Sequence, residues 1–461
     1  MTEPTRGEME LAERSSLRKV VGLSTQLEDV AEAEYRELQL EKVVLVGVWT
    51  EGSAEQAEAA MQELAALTET AGAVVLEVLI QRREKPDPAT YIGAGKVKEV
   101  KRVVEETQAD TVICDGELSP GQLIALEKAI NVKVIDRTSL ILDIFAQHAS
   151  SREGKAQVSL AQMEYMLPRL RGWGATLSRQ AGGQAGAGGG VGLRGPGETK
   201  IETDRRRIRQ RITKLRRELD KMRAARETKR QRRTSGHVPS IVIVGYTNAG
   251  KSSILNRLTG AGVLVQDALF ATLDPTTRRA ELPDGRSVVF TDTVGFVSYL
   301  PTQLVEAFRS TLEEVAEADL ILHVVSGAEE FPLDQIETVN EVLDDVIDEY
   351  EVERPPTLLV VNKCDVADSA ELAHLRSKLP HAVFVSAHTG QGFNELFERI
   401  SQILDEKEPT VEFLVPYTDG DVLAQIYDAG KVIKEEHGPD GTSIKARVPK
   451  SVANELELFR V

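Results

Sequence analysis

The chain has 461 residues, more than one hydrophobic core usually holds, so we expect about three domains. Its hydrophobic content of 41% is normal for a globular protein, and no run of about 18 apolar residues predicts a membrane span. The net charge is −17, and the two cysteines and seven histidines show no spacing that is typical of a zinc site.

The N-terminal part of the sequence predicts a charged extension and then a small α/β domain. Residues 1–40 are charged and helix-prone and lack the apolar segment of a secretory signal. In residues 41–150, four apolar runs predict strands, and the segments between them predict helices, which together indicate a mainly parallel sheet. The four runs are residues 43–48, 73–80, 110–114 and 132–135. Cys114 lies here and Cys364 far along the chain, so we expect reduced cytosolic thiols.

Residues 91–96, Tyr-Ile-Gly-Ala-Gly-Lys, leave two interpretations open. The Gly-Ala-Gly-Lys stretch resembles a nucleotide-binding loop but lacks the full spacing of one. Glycines at such a position also ease a tight entry into a helix. We favour the helix-entry turn.

Residues 151–233 predict two long helices that pack as an antiparallel hairpin. Apolar residues recur at spacings of three, four or seven, which is typical of a coiled-coil seam. We expect Pro168 to kink or end the first helix. The seam residues are Leu160, Met163, Leu167 and Leu170 in the first helix, and Ile201, Ile208, Ile212, Leu215, Leu219 and Met222 in the second.

The loop predicted between the two helices, residues 172–197, contains 11 glycines in 26 residues. A disordered linker is one interpretation of this composition. Long loops in compact domains are more often functional, and glycine lets the backbone approach a ligand closely. Trp173 can stack on a base and Arg179 or Arg194 can pair with a phosphate, so we favour contact with RNA.

The second helix of the hairpin is strongly basic. Residues 205–233 contain 15 Lys/Arg against 3 Asp/Glu, a local charge of +12 in a chain whose net charge is −17. Ordinary protein surfaces intersperse both signs, so this asymmetry indicates a polyanionic partner for one face. We favour a nucleic acid over a solvated helix surface.

The C-terminal half predicts a nucleotide domain, residues 238–408, and a small α+β domain, residues 409–461. Apolar runs alternate with helical stretches in the first, which predicts a mainly parallel sheet with helices on both faces. Its strands are expected at residues 241–244, 288–290, 320–325, 357–361 and 382–385, and its helices near 303–315, 336–350 and 394–404. The second is expected to contain a strand at 411–416, a helix at 420–429 and a hairpin turned by Gly-Pro-Asp-Gly at 438–441.

The strongest motif in the chain is G-x-x-x-x-G-K-S, which follows the strand at 241–244 and precedes a predicted helix. This context predicts a phosphate-binding P-loop, in which backbone N–H groups and the helix N-terminus bind phosphate oxygens. Lys251 would reach the β- and γ-phosphates, and the Ser252 hydroxyl would hold Mg²⁺. The binding residues are Gly245, Tyr246, Thr247, Asn248, Ala249, Gly250, Lys251 and Ser252.

A second motif, Asn362, Lys363, Cys364 and Asp365, ends a predicted strand and indicates guanine. The carboxylate of Asp365 would accept hydrogen bonds from guanine N1–H and its 2-amino group; adenine would leave it facing an acceptor, and unpaired buried polar groups discriminate strongly. Asn362 would brace the P-loop and the base, and the Lys363 stem would cover the base. A backbone N–H for guanine O6 is expected from Ser386, Ala387 and His388 after the next strand.

Two segments between these motifs are expected to sense the γ-phosphate. Asp292, Thr293, Val294 and Gly295 follow a predicted strand; Asp292 would orient the Mg²⁺ shell through water, and Gly295 N–H would contact the γ-phosphate. Upstream of them, one threonine should close onto Mg²⁺ when GTP is bound. We choose Thr272, and Thr276 and Thr277 stay open as alternatives. The segment around Thr272 consists of Phe270, Ala271, Thr272, Leu273 and Asp274.

Phe296 occupies the position directly after Gly295. Many GTPases place a Gln there to orient the attacking water. Phenylalanine has no atom that can do this. We therefore expect slow intrinsic hydrolysis, or a water-positioning group from elsewhere.

Six stretches between about residue 40 and residue 410 carry a family resemblance. They are residues 134–138 (VIDRT), 144–149 (IFAQHA), 153–158 (EGKAQV), 167–170 (LPRL), 195–200 (GPGETK) and 245–252 (GYTNAGKS). With these stretches the chain closely resembles the HflX family of ribosome-associated GTPases. The resemblance implies a GTPase that binds the 50S ribosomal subunit, directs the hairpin and its loop toward the peptidyl transferase region, and splits stalled or idle 70S ribosomes. The family's guanine- and Mg²⁺-binding positions correspond to Ser252, Thr272, Asp292, Asn362 and Asp365.

The resemblance also bears on catalysis and partners. In translation-factor-related GTPases with G-x-x-N-x-G-K-S, the Asn resembles a ligand for K⁺, which supplies the charge that others obtain from an arginine finger. We expect catalysis from Lys251, Thr272, Gly295 and Asn248, with Mg²⁺ and, at Asn248, K⁺ as cofactors. The expected partners are GTP and GDP and the 23S rRNA and proteins of the large subunit. We expect a cytoplasmic monomer that is partly ribosome-bound.

Two other functions stay open at this stage. The basic helix would bind an acidic protein if the chain were a GTP-regulated protein-interaction module. A nucleotide-driven RNA remodeller would instead use the glycine-rich turn at residues 93–96.

Overall fold

The computed structural model describes residues 42–181, 196–234, 238–260, 269–270, 275–297, 314–407, 409–448 and 450–461. The predicted extension at 1–40 and nearly all of the predicted helix at 303–315 lie outside these residues. The chain divides into two compact units between Leu219 and Asp220. Within the described ranges, no helix has both the length and the apolar composition that crossing a bilayer requires.

The first unit begins with a four-stranded sheet in the order β2-β1-β3-β4, in which all neighbouring strands are parallel. Residues 43–46 of β1 are fully buried, as is typical of a parallel strand that is covered on both faces. This confirms the predicted α/β region. Its elements are β1 Lys42–Trp49, α1 Ala54–Thr70, β2 Val74–Arg82, α2 Ala94–Thr107, β3 Thr111–Cys114, α3 Pro120–Ile130, β4 Lys133–Asp136 and α4 Arg137–His148.

The glycine-rich turn at residues 91–96 is the entry into α2, so the favoured interpretation of that segment is confirmed. Gly93 is the N-cap of the helix, and its N–H donates to Gln81 Oε1 at 2.8 Å. A Cβ at Gly93 would lie 2.6 Å from an Arg83 guanidinium nitrogen. The glycine thus permits a close approach of the Arg83 side chain.

Two long helices follow, α5 Arg152–Ala181 and α6 Pro196–Thr234. Most of the apolar residues that the repeat predicted form one cluster between the helices. Met222 is not part of this cluster, and the side chain of Ile201 lies outside the described part of the structure. Two ion pairs join the helices beside this seam, Arg152 with Glu218 at 2.5 Å and Arg216 with Glu164 at 2.7 Å. The cluster consists of Ala156, Leu160, Ile208, Ile212 and Leu215, with Met163, Leu167, Leu170 and Leu219 packed against it.

The first helix is longer than predicted, because α5 neither ends at Pro168 nor stops before residue 172. Arg169 secures the turn around the proline: its guanidinium donates to Tyr165 O, Leu118 O and Asp136 Oδ2 at 2.9–3.0 Å. The Tyr165 hydroxyl also donates to Asp136, at 2.6 Å. These bonds offset the hydrogen bond that proline removes from a helix interior.

The predicted loop at 172–197 is correspondingly shorter. Residues 172–181 continue α5, and α6 begins at Pro196. Nine of the 11 glycines in the predicted loop lie in residues 182–197, so the average over 26 residues concealed a helical first part. Two glycines inside a helix cost only about 1 kcal/mol each. Residues 182–195 lie outside the described residues.

The nucleotide domain is a six-stranded sheet in the order β10-β9-β8-β5-β7-β6. Every pair is parallel except β6 with β7. The mainly parallel sheet was predicted, whereas β6 was not, because residues 276–277 were assigned to a loop. The elements are β5 Ser240–Gly245, α7 Lys251–Thr259, β6 Thr276–Glu281, β7 Ser287–Asp292, β8 Leu320–Ser326, α8 Pro332–Tyr350, β9 Thr357–Asn362, α9 Ser369–Lys378, β10 Val383–Phe384 and α10 Phe393–Lys407.

The C-terminal part is an antiparallel sheet in the order β11-β13-β12, with a core of its own. The predicted strand, helix and hairpin are all present, and the short helix α12 was not predicted. The elements are β11 Thr410–Val415, α11 Gly420–Ala429, β12 Lys431–Gly438, β13 Gly441–Arg447, α12 Lys450–Glu455 and a 3₁₀ turn at Glu457–Phe459.

One carboxylate, Asp405 on α10, joins the nucleotide domain to this C-terminal sheet. It accepts hydrogen bonds from Arg286 at 2.5 Å, Arg447 at 2.6 Å and Lys431 at 3.4 Å. Arg286 is fully buried next to the β6–β7 turn, while Lys431 and Arg447 belong to β12 and β13. Burial disfavours the charged form, but these three cations outweigh it and lower the pKa of Asp405.

Candidate functional site

The G-x-x-x-x-G-K-S loop connects the end of β5 to the start of α7, as the sequence predicts. Three of its residues have positive φ: Gly245 (149°), Asn248 (57°) and Gly250 (89°). A Cβ at Gly245 would collide with the carbonyl oxygen of Val324, and one at Gly250 would collide with the side-chain amide of Asn362. Both glycines are therefore required for the loop to curl against the neighbouring strand ends.

Lys251 and Asp292 form the charged centre of the loop. Lys251 is 6% exposed and Asp292 is fully buried. Burial lowers the pKa of Lys251 to about 8, although the charge of Asp292 acts in the opposite direction. Burial raises the pKa of Asp292, and Lys251 and the Ser252 hydroxyl oppose that rise. Lys251 Nζ donates to Tyr246 O at 2.8 Å, so the ammonium lies directly inside the curl of the loop.

The oxygen atoms beside Lys251 fit a magnesium ion. The Ser252 hydroxyl donates to Asp292 Oδ2 at 2.5 Å. The other carboxylate oxygen, Asp292 Oδ1, is buried and has no hydrogen-bond partner in the part of the chain that the structure describes. Hydroxyl and carboxylate oxygens are the hard ligands that Mg²⁺ prefers, and an unsatisfied buried carboxylate oxygen is what a cation or its bound water would complete.

Residues 292–295, called the DTVG segment below, and Phe296 after them lie against the P-loop through their backbone. Phe296 O accepts from Thr247 N at 2.7 Å, and Phe296 N donates to Gly245 O at 3.1 Å. The Thr293 hydroxyl donates to Ile243 O at 2.8 Å, which ties the start of the segment to β5. The phenylalanine is 4% exposed. The residue that replaces the expected Gln is thus held at the P-loop by both of its backbone groups.

Residues 271–274 lie outside the described residues, so the structure does not place Ala271, Thr272, Leu273 or Asp274. Phe270, immediately before them, is buried and has a φ of 58°. The two alternative threonines, Thr276 and Thr277, belong to β6. The Thr277 hydroxyl pairs with that of Thr291 on β7 at 3.2 Å, so it is engaged within the sheet.

Asn362 joins the base-recognition motif to the P-loop. The N–H of its side-chain amide donates to Ala249 O at 2.9 Å, and the side-chain oxygen Oδ1 accepts from Ala387 N at 3.0 Å. The first bond is the brace that the sequence predicted; the second was not predicted. Ser386 N donates to Gln391 O at 3.0 Å. Two of the three predicted N–H donors to guanine O6 therefore have partners inside the protein.

The other residues of the two base motifs lie close together at the ends of β9 and β10. Asp365 Oδ2 is 3.6 Å from His388 Nδ1, and the Asp365 side chain is 21% exposed. Lys363 has a φ of 62°, and Cys364 N donates to Val385 O at 3.2 Å. A further tie, from the Arg257 guanidinium on α7 to Thr389 O at 3.1 Å, was not predicted, since nothing in the local sequence around Arg257 marks it.

Family models of GTP-binding proteins match most of the chain. Three family models match in order: "GTP-binding GTPase N-terminal" over residues 58–146, "GTP-binding GTPase Middle Region" over 148–233 and "50S ribosome-binding GTPase" over 240–363. A solved structure of a GTP-binding protein from Sulfolobus solfataricus in complex with GDP is 25% identical, covers 80% of this chain and 99% of its own, and superposes with a TM-score of 0.40.

Two curated relatives share nearly the full length of the chain. The GTPase HflX of Lacrimispora saccharolytica is 45% identical over 430 residues, which is 92% of this chain and 98% of that protein. The GTPase HflX of Escherichia coli is 41% identical over 413 residues, which is 89% of this chain and 94% of that protein. The resemblance seen in the sequence motifs is thereby confirmed, and the chain belongs to the HflX family of GTPases.

Proposed function

We propose that this GTPase binds the large ribosomal subunit in its GTP-bound form and splits stalled or idle ribosomes. The proposal rests on one observation: the chain contains both a nucleotide site and a basic helix surface. A P-loop is braced to a guanine motif by Asn362, and an exposed basic face lies on α6, remote in sequence from that loop. The first supplies a nucleotide switch and the second a surface for a polyanion.

The P-loop residues hold the triphosphate in this proposal. Backbone N–H groups of residues 246–252 and the start of α7 bind the phosphates, and Lys251 neutralises the β- and γ-oxygens. Ser252, Thr272 and Asp292 would hold Mg²⁺, and the ion would supply positive charge that offsets the charge developing on the phosphate oxygens. Asn248 would hold K⁺, and Gly295 N–H would contact the γ-phosphate.

Guanine recognition is assigned to the ends of β9 and β10. Asp365 accepts from N1–H and the 2-amino group of the base, and Lys363 covers its face. The Asn362 side chain bonds to both Ala249 and Ala387, and so links the proposed phosphate and base subsites. The part-buried position of Asp365 supports this role, because a carboxylate shielded from water discriminates against a base that offers it an acceptor.

The basic face of α6 is the surface proposed for ribosomal RNA. Ile208, Ile212 and Leu215 are buried in the seam with α5. Arg206, Lys214 and Arg217 are exposed, and helical periodicity places them on the side opposite these residues. Arg216 is different, since it pairs with Glu164 across the seam. The description of the matching family model as a 50S ribosome-binding GTPase supports the choice of partner.

The test removes the three exposed charges together, as Arg206→Gln, Lys214→Gln and Arg217→Gln. Each phosphate contact contributes about 0.7–0.9 to the slope of log affinity against log salt, so the slope for purified large subunits should flatten by about 2. Binding is measured by co-sedimentation with a non-hydrolysable GTP analogue at several salt concentrations. Affinity for GTP in solution should stay within about 2-fold, since the nucleotide site is built from residues 245–388.

A matched control removes three exposed charges from α2, as Lys98→Gln, Lys101→Gln and Arg102→Gln. If this control flattens the slope equally, the contact is a general charge effect and the assignment to α6 is wrong. If the α6 variant binds large subunits with unaltered slope and affinity, the basic helix serves another partner, such as an acidic protein. Deletion of residues 182–190 removes no charge, and should spare the slope but abolish splitting of 70S ribosomes.

A further inference from the structure

Thr247, the third residue of the P-loop motif, carries a buried hydroxyl with no assigned task. The residue is 5% exposed, and its Oγ1 has no hydrogen-bond partner among the described residues. Its backbone is well held, since Thr247 N donates to Phe296 O at 2.7 Å. A buried hydroxyl without a partner costs about 1–3 kcal/mol, so a fixed loop that retains one calls for a physical reason.

The side chain of Thr247 borders the space beside Gly295, and its methyl carbon is the side-chain atom nearest to that glycine. A Cβ built on Gly295 would lie 2.8 Å from Thr247 Cγ2 and 2.9 Å from Lys251 Nζ. Thr247, Lys251 and the DTVG glycine therefore border one small volume. Lys251 and Gly295 are the two groups that address the γ-phosphate in the proposed function, so the Thr247 side chain lies where the γ-phosphate and its attacking water would meet the loop. A rotation about its Cα–Cβ bond, from one staggered rotamer to another, exchanges the methyl group for the hydroxyl on that side.

The chemistry of the site lacks a group at this point. An attacking water needs a hydrogen-bond partner that holds it in line with the bond that breaks. Phe296 has no side-chain donor or acceptor, and its backbone N–H and C=O are both bonded to the P-loop. A threonine hydroxyl can accept one hydrogen bond and donate another. Thr247 thus offers the function that the Phe296 side chain cannot.

We propose that the Thr247 hydroxyl positions the attacking water in GTP hydrolysis, by accepting a hydrogen bond from it. The water oxygen forms a bond to the γ-phosphorus, and the bond from that phosphorus to the bridging oxygen breaks with its electron pair on GDP. The water protons pass to the inorganic phosphate and to solvent, and Thr247 is unchanged. The proposal rests on the nucleotide site described above.

The test separates nucleotide binding from the chemical step. Thr247→Val keeps the shape and removes the hydroxyl, and Thr247→Ser keeps the hydroxyl and removes the methyl group. Affinity for a fluorescent GTP analogue and the single-turnover rate of hydrolysis are measured on the full chain. Thr247→Val should bind within about 3-fold of wild type and hydrolyse on the order of 10- to 100-fold more slowly, and Thr247→Ser should recover most of the rate.

The remaining outcomes each decide the matter. If Thr247→Val hydrolyses GTP within about 2-fold of the wild-type rate, the proposal is overturned, because loss of a hydroxyl that positions the water must slow the reaction. If Thr247→Val loses affinity, Thr247→Ala decides: a normal rate overturns the proposal and a slow rate with retained affinity supports it. Thr259→Val, which removes a hydroxyl at the end of α7, is the control for losing one threonine hydroxyl. Lys251→Ala tests the site itself, since retained GTP affinity there would refute the nucleotide site and not Thr247 alone.

Discussion

A histidine buried in the central sheet, His323, should make the nucleotide domain sensitive to mild acid. It lies in the middle of β8 and is 2% exposed. Burial lowers the pKa of His323 from 6.5 to about 4, and the charges of Arg354 and Lys251 act in the same direction. The folded domain therefore keeps this imidazole neutral at a pH where the unfolded chain protonates it.

The sign and size of the effect follow from proton linkage. Below pH 6.5 the unfolded chain binds a proton that the folded chain accepts only near pH 4. The free energy of unfolding is thus unaffected by His323 above about pH 7 and falls as pH drops toward 4. With these two pKa values the loss is about 2 kcal/mol at pH 5 and about 3 kcal/mol once both states are protonated.

The assay compares wild type with His323→Leu, which removes the titrating group from the same buried position. Urea unfolding is followed through hydrogen-exchange protection of residues 240–245 and 320–326 at pH 8, 7, 6 and 5. The variant should differ from wild type by a constant amount at pH 7 and 8, and the difference should shift in its favour by about 2 kcal/mol at pH 5. His374→Leu, an exposed position on α9, should follow the wild type.

The reasoning about His323 is refuted if the difference between His323→Leu and wild type stays constant within about 0.5 kcal/mol from pH 8 to pH 5. Such a result would mean that the folded domain accepts the proton as readily as the unfolded chain does. A shift of equal size in His374→Leu would instead trace the acid sensitivity to another source.

Three further predictions concern the base, the metal and the C-terminal sheet. Asp365→Asn should weaken GTP and admit xanthosine nucleotides, because the new amide pairs with the 2-oxo group; competition binding with GTP, ATP and XTP measures it, and an unchanged preference for GTP would contradict it. Ser252→Ala should raise the Mg²⁺ concentration needed for hydrolysis, because it removes a metal ligand. Thr272→Ala should slow hydrolysis, because it removes the contact that closes onto Mg²⁺ when GTP is bound. Variants that require the same Mg²⁺ concentration as wild type and hydrolyse GTP at the same rate would exclude these roles. Asp405→Asn should lower the free energy of unfolding of the nucleotide domain by about 2 kcal/mol, because it removes the charge opposite the buried Arg286. Thermal unfolding checks this, and an unchanged midpoint would show that the pair is replaceable by a neutral hydrogen bond.

Much of the nucleotide site can be predicted from the sequence because its chemistry is local. The P-loop and the guanine motif each consist of adjacent residues at the end of a buried strand, and the carboxyl ends of parallel strands meet at one edge of a sheet. The brace from Asn362 to Ala249 follows from that geometry although 113 positions separate the two residues. The bond from Ala387 N to Asn362 depends on how the loop after β10 turns, which no short motif encodes.

The features that were not predicted depend on residues far apart in the sequence or lack a clear apolar pattern. The pair of Arg286 with Asp405 spans 119 positions, and neither residue lies in a recognisable motif. Strand β6 is an edge strand whose burial is only partial, so its residues lack the continuous apolar run that marks the central strands. The local effect of Pro168 is to remove a helix hydrogen bond, which predicted a kink or an end of the helix at this residue. The hydrogen bond from Arg169 to Asp136 helps to offset that loss, and it comes from a residue 33 positions away that no local pattern indicates.

Phe296 shows how a residue can lose one function at the side chain and retain another at the backbone. Its side chain lacks the hydrogen-bonding atoms of the Gln found at this position in many GTPases. Its C=O and N–H nevertheless bond to Thr247 and Gly245, so the DTVG segment cannot move from the P-loop without breaking two hydrogen bonds of about 1 kcal/mol each. A γ-phosphate that binds Gly295 N–H must outweigh those bonds to shift the segment. These two bonds to the P-loop backbone therefore set part of the cost of moving the segment, and the role proposed for Thr247 assigns the water-positioning group to the same loop.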